Sequence, residues 1–109
     1  MKKSYFTTVY ITTKNKKEAQ KIATVLLKKR LIACANIIDN IKSLYWWQEK
    51  IEHSKEAILL GKTTNRFCKK IINTVKKYHS YDCPAIVFYK CSNGSKDFFN
   101  WISKELKIP

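Results

Sequence analysis

Residues 31–63, LIACANIIDNIKSLYWWQEKIEHSKEAILLGKT, form the stretch that decides the fold. β-Branched and aromatic residues fill both halves of this stretch, and strands favour that composition. The halves meet at Gln48 and Glu49, so we predict two long antiparallel strands that fold back on each other there. Asp39 and Asn40 interrupt the first half with residues that are uncommon in strands. We predict a β-bulge at this interruption.

The outer part of this hairpin, called the arm below, is too long and too apolar for its own domain to cover. About eight residues stand on each side of the turn, beyond Asn40 and Ala57, so at roughly 3.3 Å per residue the arm is about 25 Å long. An isolated two-stranded hairpin is marginally stable in water. We therefore predict that other copies of the chain cover the arm. The predicted oligomer contacts are Leu44, Tyr45, Trp46, Trp47 and Ile51.

Two amphipathic helices flank the hairpin. Asn15 and Glu18 have the spacing of a capping box, which predicts the start of the first helix. Thr64 and Asn65 are candidate N-caps for a second helix that ends near Tyr78. The apolar stripe of the first helix falls at helical spacing and comprises Ala19, Ile22, Ala23, Leu26 and Leu27.

The remaining segments complete an α+β order. Residues 5–13 and 85–91 are rich in β-formers and predict strands, and residues 96–107 predict a third helix. The order β-α-β-β-α-β with two helices on one face of an antiparallel sheet is the ferredoxin-like arrangement. In this arrangement we expect the first two strands to be parallel neighbours. The whole chain, residues 1–109, is predicted to form one such domain, with a long hairpin between its second and third strands and an extra C-terminal helix.

Length and composition indicate an ordinary globular protein. The 109 residues suffice for one core, and 45% apolar content is typical of a folded chain. No apolar run approaches the roughly 18 residues of a membrane span, and the N-terminus has no apolar signal-peptide region. We therefore expect a cytoplasmic protein without membrane association. The four cysteines are scattered and predicted to be reduced thiols: Cys34, Cys68, Cys83 and Cys91.

The net charge of +14 raises nucleic-acid binding as an alternative. However, lysine supplies nearly all of the positive charge, whereas recognition of phosphates and bases relies more on arginine, present only at Arg30 and Arg66. An RNA-recognition module has the same topology but needs exposed aromatic residues on its central strands. Residues 50–56 on the predicted third strand carry none. We therefore do not expect nucleic acid as a partner.

The residues do not predict an enzyme. The eight carboxylates are scattered, and with only Gly61 and Gly94 no glycine-rich phosphate loop exists. A metal site is one hypothesis for the loop that carries both His79 and Cys83, with Asp82 between them. Imidazole together with thiolate suits Cu(I) or Zn. In the alternative interpretation, Cys83 packs beside the next residue and His79 ends the second helix.

Several ordered motifs carry a likeness to a known family. These are LIACANI at 31–37, SLYWW at 43–47, KIE at 50–52 with Glu56, Lys62-Thr63, HSYDCPAI at 79–86 and Trp101-Ile102. Together they resemble the CutA divalent-cation-tolerance family over nearly the whole chain from Val9 onward.

The resemblance implies a cytoplasmic homotrimer of ferredoxin-like protomers, joined through the hairpins and C-terminal segments. The family is similar in architecture to the PII signal-transduction proteins, which bind small effectors in clefts between subunits. The resemblance further implies a non-catalytic role, with Cu(II) or another divalent cation as the ligand. An alternative role is that of a trimeric scaffold that anchors partner proteins. The residues that the resemblance places at the cleft are Trp46, Glu52, Lys62, Thr63, His79, Tyr81 and Pro84. The chemistry of the loop described above makes His79 and Cys83 the candidate metal ligands.

The chain also departs from the family pattern. Ser80 stands where the family loop usually has proline, and Glu49 stands where the turn usually has glycine. In some bacterial members the proposed copper ligands include a cysteine and a second histidine. Those positions correspond here to Thr12 and Tyr78.

Overall fold

The computed structural model describes residues 4–108, and it has the predicted α+β ferredoxin-like fold. Residues 1–3 and 109 of the predicted domain lie outside the described part. No helix within residues 4–108 is both long enough and apolar enough to cross a membrane. The elements are β1 (Phe6–Thr13), α1 (Lys16–Lys28), β2 (Cys34–Trp47), β3 (Lys50–Thr64), α2 (Cys68–Tyr78), β4 (Ile86–Lys90) and α3 (Lys96–Glu105), with a 3₁₀ turn at Asn65–Phe67 before α2.

The four strands form one antiparallel sheet in the order β2-β3-β1-β4. The prediction that β1 and β2 are neighbours is therefore wrong, because β3 lies between them. The tight hairpin brings β3 directly back alongside β2, and its other edge then pairs with β1. Leu59 shows the arrangement, since it pairs with Ile37 of β2 on one side and with Ile11 of β1 on the other.

The core lies between the sheet and the pair α1 and α2. Alternate residues of β1 and β3 face the helices, as the two-residue period of a strand requires. Gly61 is needed there, because a Cβ atom would lie 2.9 Å from Cγ1 of Val9 and 3.1 Å from Cγ2 of Ile32. The predicted stripe of α1 is buried, except for Leu27 at its exposed edge. The largest buried core side chains are Val9, Ile11, Ile22, Leu26, Ile32, Leu59, Ile71 and Val75.

Of the two predicted helix caps, the one for α1 is confirmed and the one for α2 is wrong. The side chain of Asn15 caps α1, as predicted, by accepting a hydrogen bond from the backbone N–H of Glu18 at 2.8 Å. Thr64 and Asn65 do not cap α2, which begins at Cys68 after the 3₁₀ turn. The Oδ1 atom of Asn65 instead accepts a hydrogen bond from the backbone N–H of Tyr5 at 2.8 Å. This contact joins the start of β1 to the end of β3.

The hairpin follows its prediction closely. The β2–β3 register shifts between Ile38 and Ile41, and Asn40 within the bulge has φ 57°. Gln48 and Glu49 form the turn, with φ of 49° and 64°. Each left-handed residue without a glycine costs about 1–2 kcal/mol, so the turn is held by the strand pairing around it. The arm gives the molecule its elongated extents of 47 × 25 × 24 Å.

Candidate ligand-binding site at the arm and its base

The register of the hairpin assigns the aromatic residues of the arm to two opposite faces. Trp46 pairs with Ile51, and the next pair is Tyr45 with Glu52. Residues directly opposite each other in an antiparallel pair share a face, and successive pairs alternate between faces. Trp46 and Glu52, predicted to line one cleft, therefore lie on opposite faces of the same arm. Leu44, Trp46 and Ile51 share one face, and Tyr45, Trp47 and Glu52 share the other.

Both faces of the arm are uncovered within one protomer. The exposed fraction is 73% for Trp46 and 61% for Trp47, and Leu44, Tyr45 and Ile51 are also exposed. An exposed apolar surface of this kind marks an interaction site. The described part of the chain therefore leaves the apolar surface of the arm uncovered.

The base of the arm is tied to the loop that joins α2 to β4. The hydroxyl of Tyr81 on this loop donates a 2.6 Å hydrogen bond to Oε2 of Glu56, which stands opposite Ile41 just beyond the bulge. Burial raises the pKa of the Tyr81 hydroxyl, and the hydrogen bond to Glu56 raises it further. Tyr81 therefore stays protonated and donates this bond throughout the neutral range.

His79 is enclosed at the start of the same loop, and its side chain is fully buried. Its Nδ1 atom accepts a 3.0 Å hydrogen bond from the backbone N–H of Tyr81. The proton of the neutral ring therefore lies on Nε2, which donates to the carbonyl oxygen of Thr12 at 2.7 Å. Both ring nitrogens are engaged within the protomer, so in this arrangement His79 offers no lone pair to a metal ion.

Glu18 is hydrogen-bonded to the backbone of the same loop. Its carboxylate is buried and accepts 3.0 Å hydrogen bonds from the backbone N–H groups of Lys14 and Ser80. Burial alone would raise the pKa of Glu18 and is the largest single effect. The bonds from Lys14 and Ser80, together with the electrostatic effect of the nearby His79, outweigh it and lower the pKa below the ordinary 4.5. The ionised form of Glu18 is therefore favoured in the folded protein.

The lowered pKa of Glu18 predicts a loss of stability in acid. A carboxylate whose pKa is lower in the folded state contributes stability above its unfolded pKa, and this contribution is lost as the pH falls through the folded value. We expect the free energy of unfolding to decline as the pH falls below 4.5, and Glu18→Gln to weaken this decline. At neutral pH the same substitution should cost about 1–3 kcal/mol, because the amide satisfies its two backbone donors less well.

Urea unfolding at a series of pH values measures this effect. Asp82→Asn, at an exposed carboxylate on the same loop, is the matched control and should leave the pH dependence of the wild type. An identical acid decline in wild type and Glu18→Gln would contradict the assignment to Glu18.

The predicted metal ligands are not assembled within the protomer. No cluster of three or more His, Cys, Asp or Glu side chains suited to a metal ion occurs in residues 4–108. Cys83 is an exposed free thiol, whereas the ring of His79 is buried and hydrogen-bonded. A metal site with these two residues would need a different orientation of His79 and further donors.

The other predicted cleft residues lie on the sheet. Thr63 is buried, and its hydroxyl donates a 2.6 Å hydrogen bond to the carbonyl oxygen of Leu31. Lys62 is on the opposite face, where its Nζ atom donates to Oδ1 of Asn36. Ten residues of strand separate Lys62 from Glu52, which is about 33 Å at 3.3 Å per residue. These two positions therefore do not meet within one chain.

Sequence reasoning missed the two buried carboxylates of the site as functional groups. Glu18 was identified only as part of a helix cap, but it also binds the backbone of Ser80, which is 62 residues away. Glu56 was identified only as part of a family motif. For Glu56 the sequence offers one indication, an acidic residue directly before the apolar run at 57–60 in a strongly basic chain. For the contact of Glu18 with Ser80 it offers none.

The four-stranded sheet, its two covering helices and its projecting arm define a ferredoxin-like protein with an extended hairpin. Residues 7–105 match the family model for the CutA1 divalent ion tolerance protein, and the chain belongs to that family. A divalent-cation tolerance protein CutA from Pyrococcus horikoshii is 36% identical, with 91% of this chain and 96% of the relative covered.

Solved structures of the family agree in fold. A CutA1 from Ehrlichia chaffeensis superposes with a TM-score of 0.89 at 33% identity, covering 96% of this chain and 98% of the other. A CutA from Archaeoglobus fulgidus, described as periplasmic, gives a TM-score of 0.90 at 38% identity, covering 93% and 98%.

Proposed function

We propose that the protein is a homotrimeric, non-catalytic divalent-cation tolerance protein of the cytoplasm that binds its ligand in clefts between subunits. The observation that carries this proposal is the arm, which presents exposed aromatic residues on both of its faces. An arm of this kind needs a partner on each side. The ligand proposed is a divalent cation such as Cu(II), or a small effector.

Because both faces of the arm are exposed in one protomer, a closed ring of subunits is favoured over a dimer. In a pair related by a twofold axis, each arm meets one partner surface, and the other face remains in water. In a ring of three, each arm lies between two neighbours, so both faces are buried. The sheet face opposite α1 and α2 supplies a further apolar surface for such contacts, with Val87 and Tyr89 exposed on it.

The positions of the predicted cleft residues also support a site between subunits. Within one protomer they occupy the outer arm, the loop at the arm base and the sheet, and they do not meet. When an arm lies on a neighbour, its exposed Glu52 reaches a surface that its own protomer cannot provide. A divalent cation would need donors from more than one subunit, since His79 has both nitrogens engaged.

Light scattering coupled to size exclusion tests the assembly. We expect a particle three times the 12.8 kDa of the chain at micromolar concentration. Thermal unfolding with Cu(II), Zn(II) or a nucleotide then tests the ligand, because a ligand at 100 times its Kd stabilises the folded state by about 2.7 kcal/mol. A monomeric particle would refute the assembly, and the absence of a shift with either metal would refute the metal as ligand.

A further inference from the structure

The outer surface of α1, α2 and their flanking turns is strongly cationic. It is called the basic face below and consists of the lysines and arginines of residues 14–30 and 66–77, all of which are exposed. These residues include more than half of the 22 lysines and arginines of the chain but only one of its eight carboxylates. That carboxylate, Glu18, is buried. Apart from Arg30, which contacts Glu105, no cation of the basic face forms an ion pair within the described part of the chain.

The charged residues of the two helices form one continuous surface. Lys17, Lys21 and Lys28 recur at helical spacing on α1, opposite its buried stripe. Lys29, just after α1, and Lys70 of α2 line one open groove, so the charged residues of the two helices adjoin there. The contacts proposed between subunits use the arm and the opposite side of the sheet, and they do not require the basic face.

The positions of these charges oppose the stability of the two helices. Lys16 and Lys17 lie in the first turn of α1, and Lys69 and Lys70 lie in the first turn of α2, which has no acidic residue. A cation at the start of a helix opposes the helix dipole. Lys17 also repels Lys21, since like charges four residues apart destabilise a helix. A bound anionic surface would offset both costs.

We propose that the basic face binds the surface of a membrane that contains anionic phospholipids. Each lysine near such a surface strengthens association about fivefold, and a broad cationic face contacts many headgroups at once. The composition favours this partner over other polyanions. Protein interfaces are depleted in lysine, and nucleic acids are recognised largely through arginine and stacked aromatic rings. The basic face has only Arg30 and Arg66 as arginines, and residues 14–30 and 66–77 carry no exposed aromatic side chain.

This mode of binding differs from the membrane association that the sequence argues against. That expectation concerned an apolar span and a signal peptide, and attraction of lysines to charged headgroups needs neither. Attraction of this kind weakens as salt screens the charges, so the association is reversible. It is separate from the ligand proposed for the clefts between subunits and does not depend on it.

Sedimentation with lipid vesicles tests the proposal. We expect the wild type to bind vesicles of phosphatidylglycerol and phosphatidylcholine in equal parts at low salt, but not vesicles of phosphatidylcholine alone. Sodium chloride at about 1 M should release it, because the Debye length is then about 3 Å. The combined substitutions Lys17→Gln, Lys21→Gln and Lys28→Gln should weaken binding about 100-fold. Arginine at the same three positions should preserve binding, because the charge is kept.

The matched control removes the same charge from the arm. Lys42→Gln, Lys50→Gln and Lys55→Gln change three exposed lysines there, and this variant should bind the anionic vesicles far more tightly than the variant of α1. Three results would overturn the proposal. The first is no binding of the wild type at low salt, and the second is equal weakening in the two glutamine variants, which would show a response to total charge alone. The third is tighter binding to DNA of arbitrary sequence than to the vesicles, which would make nucleic acid the partner.

Discussion

Trp46→Asp is expected to dissociate the proposed trimer into folded monomers. In the proposed assembly the indole of Trp46 is buried against a neighbouring subunit, and the substitution places an unpaired carboxylate there. Burying such a charge costs several kcal/mol. A cost of about 3 kcal/mol at each contact weakens association by roughly 100-fold, and a symmetric ring repeats the contact around its axis. Light scattering across a dilution series measures the change in mass.

The protomer itself should tolerate Trp46→Asp. The buried core is built from β1, α1, α2 and the inner part of β3, and Trp46 is 73% exposed outside it. Circular dichroism should therefore show a folded variant. Leu27→Asp is the matched control, since Leu27 is a partly exposed apolar residue on α1, away from the arm. If Trp46→Asp keeps the mass of the wild type, the outer arm does not form the subunit contact.

The arm was the most predictable part of the molecule, because its structure follows from local composition. Runs of β-branched and aromatic residues on both sides of Gln48 and Glu49 sufficed to place the turn. The bulge was equally local, since Asp39 and Asn40 interrupt one strand only. Neither inference required knowledge of the rest of the fold.

The strand order and the second helix cap could not be derived in this local way. The position of β3 between β1 and β2 depends on which edge of the hairpin meets β1, and the pattern of apolar residues is the same for either edge. Asn65 has the chemistry of a helix cap, but its side-chain oxygen accepts a hydrogen bond from the backbone N–H of Tyr5, 60 residues earlier. A contact at this separation leaves no trace in the neighbouring sequence.

The candidate site was only partly predictable for the same reason. The sequence identified His79 and Tyr81 as residues of interest, but not the groups that hold them. Their partners come from β1 and from the base of the arm, namely Thr12 and Glu56. With these partners in place, His79 is part of the hydrogen-bonded framework of the loop. The question for this residue is therefore whether it stabilises the fold or binds a metal.

His79→Ala is expected to destabilise the protein by about 2–5 kcal/mol in metal-free buffer. The carbonyl oxygen of Thr12 and the backbone N–H of Tyr81 each lose a partner, and an unsatisfied buried polar group costs about 1–3 kcal/mol. Loss of the buried ring also leaves a cavity, which adds to the cost. Urea unfolding with a chelator present measures the change without any contribution from metal.

The chelator separates the structural role of His79 from a metal-binding role. If the ring only supports the loop, the loss in His79→Ala is the same with chelator and with added Cu(II) or Zn(II). If the ring is a metal ligand, the loss appears only with metal, and the variant matches the wild type when the chelator is present. His53→Ala, at an exposed histidine on the arm, and Cys83→Ser, at the exposed thiol of the loop, are controls that should stay within about 0.5 kcal/mol of the wild type in chelator. Because both ring nitrogens already have partners at 2.7 and 3.0 Å, we expect the loss to be independent of metal.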